Sequence, residues 1–417
     1  MRVVHPNVYL KQQQRGRRVR RIRTFIMVML VLLATGYGFM AMSVKATFQP
    51  VPFDISIGAQ RQQMEWPSTG SVALTYQGAD VLPLNNNGSV SVPSASTIKI
   101  LTALIVLQKK PLELGESGET ITFIDEDVQN LQVISARGGA VYPITAGETM
   151  TYNDALQIML MVSANNIADK LAVWAYGSSE AYLEAATVYA SDNKLSSTKV
   201  SDASGLSSAS LTSPNDLVRI ASSFLGNPLL KSIVSQKTAS LSNGKIIENT
   251  NMILGIDGIT GVKTGFTDEA GACLVVSKDI TVVNTKFTLI SAVMGQPDRP
   301  TAYSETQRLL DKFKEQFSEV SLLTKDQKVA KFVAPWGAEA DVVNRDDINL
   351  VRYVGESFNA SFNIDPISYG KKHDQVGILN ANTKNGSKRV ELELTEDLPA
   401  PPLSWRLKHA IDYFDQI

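Results

Sequence analysis

Apolar and polar residues follow three different rhythms along this chain. Residues 25 to 44, "FIMVMLVLLATGYGFMAMSV", are twenty uncharged positions, long enough as a helix to match a hydrocarbon core of roughly 30 Å. From Gly70 the runs "SVALTYQ", "ADVLPL" and "VSVPSAS" read as short strands around a turn at "NNNGS". Ile98, Leu101, Ile105 and Val106 then recur at helical spacing. "YNDALQIMLMVSANNIADKLAVWAYG" reads as one long buried helix, and "SPNDLVRIASSFL" as a helix opened by Ser-Pro. Extended runs follow at "DGITGVKTG", "ACLVVSK" and "KFTLISAVMG", then the amphipathic "SETQRLLDKFKEQF". Strands, helices, then strands and a helix predict an α+β domain, a sheet backed by helices.

After about residue 319 the rhythm is short β-type runs separated by Gly, Asn, Asp and Pro, which predicts a second, all-β domain. Leu403, Leu407, Ala410, Ile411, Phe414 and Ile417 then share one helical face, suited either to a membrane surface or to docking on the β domain. The expected order is a basic tail (1–24), a transmembrane anchor (25–44), a linker (45–67), the α+β domain (68–319), the β domain (320–398), and a linker with the amphipathic helix (399–417).

Charge changes the picture only at the N-terminus. Residues 1 to 45 hold nine Lys/Arg and no Asp/Glu, leaving 31 basic against 41 acidic residues beyond them. The basic excess is local, so it marks a membrane-flanking segment and not a nucleic-acid surface. The positive-inside rule keeps this tail cytoplasmic and puts everything after residue 45 outside. A cleaved signal peptide is the alternative, since Val44-Lys45-Ala46 resembles a cleavage site, although such apolar regions normally span only 7–15 residues.

One cysteine, Cys273, excludes an intrachain disulfide, and its apolar run "GACLVVS" assigns it to the core. His5, His373 and His409 show no paired-ligand spacing. Neither a metal site, nor a cofactor site, nor a Ser-His-Asp hydrolase is indicated.

A serine can work without histidine if a lysine one helical turn away takes its proton. Ser-x-x-Lys occurs at Ser96/Lys99, Ser196/Lys199, Ser242/Lys245 and Ser368/Lys371. Only Ser96 opens a long apolar helix, where its N–H also points at developing negative charge. Ser163-Ala164-Asn165 follows 67 residues later, and Lys263-Thr264-Gly265 a further 100 residues on, on an extended run. Ser191-Asp192-Asn193 also fits the second pattern, but its setting reads as a helix end.

That order, Ser-x-x-Lys, Ser-x-Asn, Lys-Thr-Gly, resembles the low-molecular-mass penicillin-binding proteins, the serine-type D-alanyl-D-alanine carboxypeptidases. The likeness runs through "PSASTIKILTA", "SANNIAD", "DASGLSS", "DGITGVKTGFTDEAGACLV" and "LISAVMG" into the β-rich tail at "DPISYGKKHDQVGIL". It implies a penicillin-recognising transpeptidase-like fold followed by a small β domain, peptidoglycan stem peptides as substrate, and β-lactams as inhibitors. By the resemblance, Ser96 is the nucleophile, and Lys99 is its base, held partly neutral by burial and by the charge of Lys263. Ser163 relays a proton to the leaving amine, and Asn165 orients Lys99 and the substrate. Lys263 and Thr264 bind the terminal carboxylate, Gly265 leaves room for the substrate backbone, and the N–H groups of Ser96 and Phe266 receive the oxyanion.

Two departures stand out. Many relatives carry an Arg between two Asn ahead of the Lys-Thr-Gly strand, whereas this chain has Asn249-Thr250-Asn251. No Glu-x-x-Leu-Asn stretch of the class A β-lactamases lies between residues 163 and 263. Three activities fit: a carboxypeptidase, an endopeptidase on D-Ala cross-links, or a penicillin-binding sensor without useful turnover.

Overall fold

The computed structural model describes residues 6–40, 42–51, 63–79, 84–354, 359–383 and 386–409. Its contacts divide the chain into two units, residues 59–319 with 351–356, and residues 1–58 with 320–350 and 357–417.

In the first unit an antiparallel five-stranded sheet runs in the order Ile259–Thr267, Gly271–Val282, Thr285–Gln296, Ser71–Tyr76, Leu84–Asn86. Side chains alternate between faces. Val72, Leu74, Tyr76, Leu274, Val276, Leu289 and Val293 therefore enter one core, while Ala73, Cys273, Val275, Ile290, Ala292 and Met294 enter another. Burial on both faces explains why these strands read as nearly continuous apolar runs. A register slip of one residue would exchange the two sets, so both cores fix the pairing of Gly265 with Cys273 and of Leu274 with Val293.

The first core also holds the helix Arg299–Lys314 and an aromatic cluster in which the rings of Tyr76, Phe287 and Phe317 lie 4.7–6.1 Å apart. The second core is helical. Lys99–Lys109 lies at its centre, against Asn165–Tyr176, Ser179–Asp192 and Pro214–Leu225. The last of these starts as its Ser-Pro signal predicts, with Ser213 Oγ accepting from the Asp216 N–H.

The long helix expected from Tyr152 onward is broken. An α-helix, Tyr152–Gln157, passes into a π-turn, Ile158–Val162, then into Ser163 at φ 69° and ψ 22°, before Asn165–Tyr176 begins afresh. A left-handed residue cannot continue a right-handed helix, and π-turns gather at functional sites. Apolar periodicity crosses this break unmarked. Val92–Pro93 also departs from expectation, pairing with Leu211–Thr212 and not with the first hairpin.

The second unit is an antiparallel six-stranded sheet in the order Thr47–Pro50, Lys328–Val333, Glu339–Asn344, Gly386–Leu394, Gln375–Thr383, Asn359–Ile364. Its core contains Val329, Phe332, Val342, Leu379 and Leu392. Part of the expected linker 45–67 is thus a strand, because Phe48 packs its ring against Phe332 and Phe362 at 5.5 and 5.3 Å. Residues 52–62 lie outside the described residues. Residues 351–356, expected in the β domain, group with the first unit, where Val351 and Tyr353 join the aromatic core.

The N-terminal helix Pro6–Met40 contains a stretch, Gln14–Phe39, long and apolar enough to cross a membrane, with only 6% of its most apolar window buried. It is not a core helix. Leu403–His409 forms the start of the expected C-terminal helix, and residues 410–417 lie outside the described residues. Arg406 Nη1 donates to the Gly38 carbonyl at 3.4 Å, and Trp405 meets Trp336 edge-on, while Leu403 and Leu407 stay exposed.

Candidate active site

Ser96 stands on a 3-10 turn, Ala95–Ile98, that runs directly into the Lys99–Lys109 helix. Ala95 is held at φ 43°, a conformation an alanine adopts only when its surroundings impose it. The loop around Gly205 packs so closely on this turn that a Cβ at Gly205 would come within 1.8 Å of the Ala95 carbonyl oxygen. The same loop is knitted by Asp202. Its carboxylate accepts from the N–H groups of Gly205, Leu206 and Ser207 and from the hydroxyls of Ser204 and Ser210.

Lys99 is fully buried. Its Nζ lies 2.8 Å from Ser96 Oγ, 2.6 Å from Asn165 Oδ1 and 2.7 Å from the Ser204 carbonyl oxygen. Burial lowers its pKa to about 7, against the pull of Asp202 and Asp169, whose negative charges favour the ammonium. Burial is thus the main cause of the partly neutral Lys99 that was expected, and the repulsion it shares with Lys263, which bears on the pKa of Lys263, acts in the same direction. The half-buried Asp169 carboxyl is itself raised to about 6, chiefly by burial, while Asn130 donates to it.

Asn165 is fixed by its N–H to the Ala140 carbonyl, and Asn166 grips Tyr142 through both backbone groups. Ser163 is buried in its left-handed turn two residues earlier, and among the described residues its hydroxyl makes no hydrogen bond to Ser96 or Lys99. It stands two residues before the Asn165 that bonds Lys99. That turn is tied to the Lys-Thr-Gly strand through Thr250, whose N–H donates to the Met161 carbonyl and whose Oγ1 lies 3.0 Å from Thr264 Oγ1.

On the strand Ile259–Thr267, Lys263 is buried with its Nζ donating to the Thr264 carbonyl at 3.0 Å. Its pKa is held well below the usual lysine range by burial, then by Lys99 and Arg299. Gly265 is required by contact: a Cβ there would sit 2.9 Å from the Ser96 backbone nitrogen. Phe266 follows with its ring exposed and the Arg299 guanidinium 5.4 Å from the ring centroid.

The structure thus joins Ser96, Lys99 and Asn165 by hydrogen bonds and lays Lys263–Phe266 alongside them. Ser196, Lys199, Ser242 and Lys245 are exposed, Ser242 bonding Asp154 instead of a lysine, and Ser191 ends an exposed helix turn. Buried Ser368 lies in the second unit. Cys273 is buried and its thiol is pushed up to about 11 by burial, which leaves it inert.

Sequence reasoning missed Asp202, the Ser204 carbonyl, Thr250 and Arg299. Asp202 had a local signal, an Asp three residues before Gly in a Ser-rich turn. Arg299 had none, because its role depends on the register that sets Phe266, Ala272 and Gln296 side by side.

The family model described as D-alanyl-D-alanine carboxypeptidase, peptidase S11, matches residues 58–298. A D-alanyl-D-alanine endopeptidase of Pseudomonas aeruginosa is 28% identical over 221 residues, 51% of this chain and 68% of that protein. The D-alanyl-D-alanine carboxypeptidase DacF of Bacillus subtilis is 22% identical over 321 residues, 75% and 79% of the two chains. Penicillin-binding protein 5 from Haemophilus influenzae superposes with a TM-score of 0.56 at 19% identity, over 82% of this chain and 99% of that one, and so shares its fold. The chain belongs to the D-alanyl-D-alanine carboxypeptidase family, a family of D-Ala-D-Ala peptidases whose relatives here divide between carboxypeptidases and endopeptidases.

Proposed function

We propose that this D-Ala-D-Ala peptidase is a serine carboxypeptidase that releases the terminal D-Ala of peptidoglycan stem pentapeptides through an acyl-enzyme on Ser96. The observation that carries the reading is the placing of Lys99 Nζ among one hydroxyl and two carbonyl oxygens. A neutral amine has two N–H bonds and one lone pair, and carbonyl oxygens can only accept. Asn165 and Ser204 therefore take both N–H bonds, and the lone pair faces the Ser96 hydroxyl. A pKa of about 7 keeps a large share of Lys99 neutral near pH 7.

Ser96 Oγ attacks the carbonyl carbon of the penultimate D-Ala while its proton passes to Lys99. The N–H groups of Ser96 and Phe266 receive the oxyanion. As the C–N bond breaks, Ser163 hands a proton to the departing D-Ala amine and is resupplied from Lys99. Water then attacks the ester with Lys99 as base, the shortened peptide leaves as a carboxylic acid, and Ser96 regains its proton. Lys263, Thr264 and Arg299 suit the terminal carboxylate; Arg299 supplies from another element the guanidinium that Asn249-Thr250-Asn251 lacks. β-Lactams acylate the same serine, and no cofactor takes part. The N-terminal helix holds the enzyme at the membrane with its arginines cytoplasmic and the chain after residue 45 outside, where the substrate is; a mature protein starting near Thr47 would replace that anchor by a cleaved signal.

An endopeptidase using the same site is the second reading, supported by the P. aeruginosa relative. Incubating the full chain in detergent with pentapeptide and with cross-linked dimer separates them. Free D-Ala from pentapeptide is the expected product. Monomers from dimer as the dominant product would replace the assignment by the endopeptidase, and penicillin labelling without either product would replace both by a sensor.

A further inference from the structure

Phe266 offers a side chain as well as a backbone N–H. Strand alternation puts its ring on the same side as Thr264, whereas Lys263 and Gly265 face the other way, Gly265 against Ser96. Thr264 is the hydroxyl read as holding the carboxylate of the leaving residue, so the ring borders that subsite. A phenyl ring cannot donate to a carboxylate; what it presents there is an apolar wall.

The wall is propped. Phe266 is opposite Ala272 and Ala272 opposite Gln296, so the chain three residues beyond Gln296 reaches the ring. That residue is Arg299, the first of the helix Arg299–Lys314, whose start is fixed by Asp298 accepting the Thr301 N–H at 2.7 Å. The guanidinium of this exposed arginine lies over the ring, 5.4 Å from its centroid, and backs it on that side, although Phe266 is 41% exposed.

A leaving residue bound through its carboxylate and its scissile nitrogen has one free direction, that of its side chain. D-Ala puts a methyl there. A longer side chain, such as that of a residue whose far end continues into a second stem peptide, has to pass the Phe266 ring. We propose that Phe266, braced by Arg299, is a size gate that admits a small leaving residue and disfavours a long one. This inference rests on the carboxypeptidase reading.

The test uses the full chain in detergent with N-acylated D-Ala-D-Xaa dipeptides, Xaa being D-Ala, D-norleucine or D-lysine, and measures the released D-amino acid. The wild type should lose at least about 10-fold in kcat/KM from D-Ala to either long residue, a size discrimination within reach of one shaped pocket. In Phe266→Ala the ratio should shrink to roughly 3-fold or less, and in Phe266→Tyr, which keeps the wall, it should persist. The backbone N–H is retained in both variants, and the half-exposed ring leaves little core to collapse. D-Ala release with a flat profile in the wild type would overturn the gate and leave the carboxypeptidase standing, as would a ratio unchanged in Phe266→Ala. If Phe266→Ala does not fold, a Phe266→Tyr profile as flat as an ungated site overturns it equally. No release of D-Ala by the wild type would overturn the parent reading and the gate with it.

Discussion

Two of the buried lysines in the first unit, one at the start of the serine helix and one on the Lys-Thr-Gly strand, have opposite surroundings. Lys99 touches three oxygens and feels two carboxylates, Asp202 and Asp169, which partly offset its desolvation. Lys263 has one backbone acceptor, and the charges it feels, Lys99 and Arg299, are of its own sign. The first is supplied with all the oxygen it needs and is poised to exchange a proton. The second meets a carbonyl oxygen and like charges, so a substrate carboxylate beside it would favour its charged form. The same residue type thus meets oxygens and carboxylates in one place and like charges in the other, the contrast that the proposed roles of base and anion site call for.

The largest effect expected from this contrast is at Lys99. Lys99→Met removes the base and should slow acylation of Ser96 by a fluorescent penicillin by about 10³-fold, within the range for a positioned general base. Time courses of labelling, with folding checked by circular dichroism, give the number. Near-normal acylation of Lys99→Met would mean the base had been assigned to the wrong lysine.

The next effect separates the second lysine from the first. Lys263→Gln should cost roughly 10² in kcat/KM on acyl-D-Ala-D-Ala, the size of a charge-assisted hydrogen bond worth about 2–3 kcal/mol. On the same peptide capped as its C-terminal amide, wild type and variant should agree within about 3-fold, since there is no carboxylate to lose. An equal loss on both substrates would show Lys263 acting on the chemistry and would erase the distinction.

The elements were legible in proportion to how locally they are encoded. Ser-Pro at residue 213, the apolar helix behind Ser96 and the doubly buried strands all carry their own pattern, and the order of the three motifs located the hydrogen-bonded triad Ser96, Lys99 and Asn165. The break at Ser163 was not legible, because Met159, Leu160 and Met161 bury their side chains through a π-turn as they would through an α-helix. Thr47–Pro50 was missed because a four-residue edge strand with one anchoring ring has no periodicity to detect. Arg299 and Asp202 act through register and loop geometry, and so act across distances in sequence that a motif does not span.

The smallest effect tests what sets the lysine base itself. If Lys99 acts neutral, acylation falls as pH drops through its pKa, so the acid limb of the rate reports that pKa. Asp202 favours the ammonium; removing its charge lowers the pKa further, and Asp202→Asn should move the limb to lower pH. The plateau should also fall, by about 10-fold or less, because an amide nitrogen would now face N–H groups of the loop that carries the Ser204 carbonyl, costing about one hydrogen bond. Position of the limb reads the charge, and height of the plateau reads the geometry. Lys263→Gln is the counterpart: its cation and Lys99 repel each other, so its loss should raise the Lys99 pKa and push the limb to higher pH, opposite in sign to Asp202→Asn. A limb that moves the other way in either variant would reverse the signs of carboxylate and cation around the base.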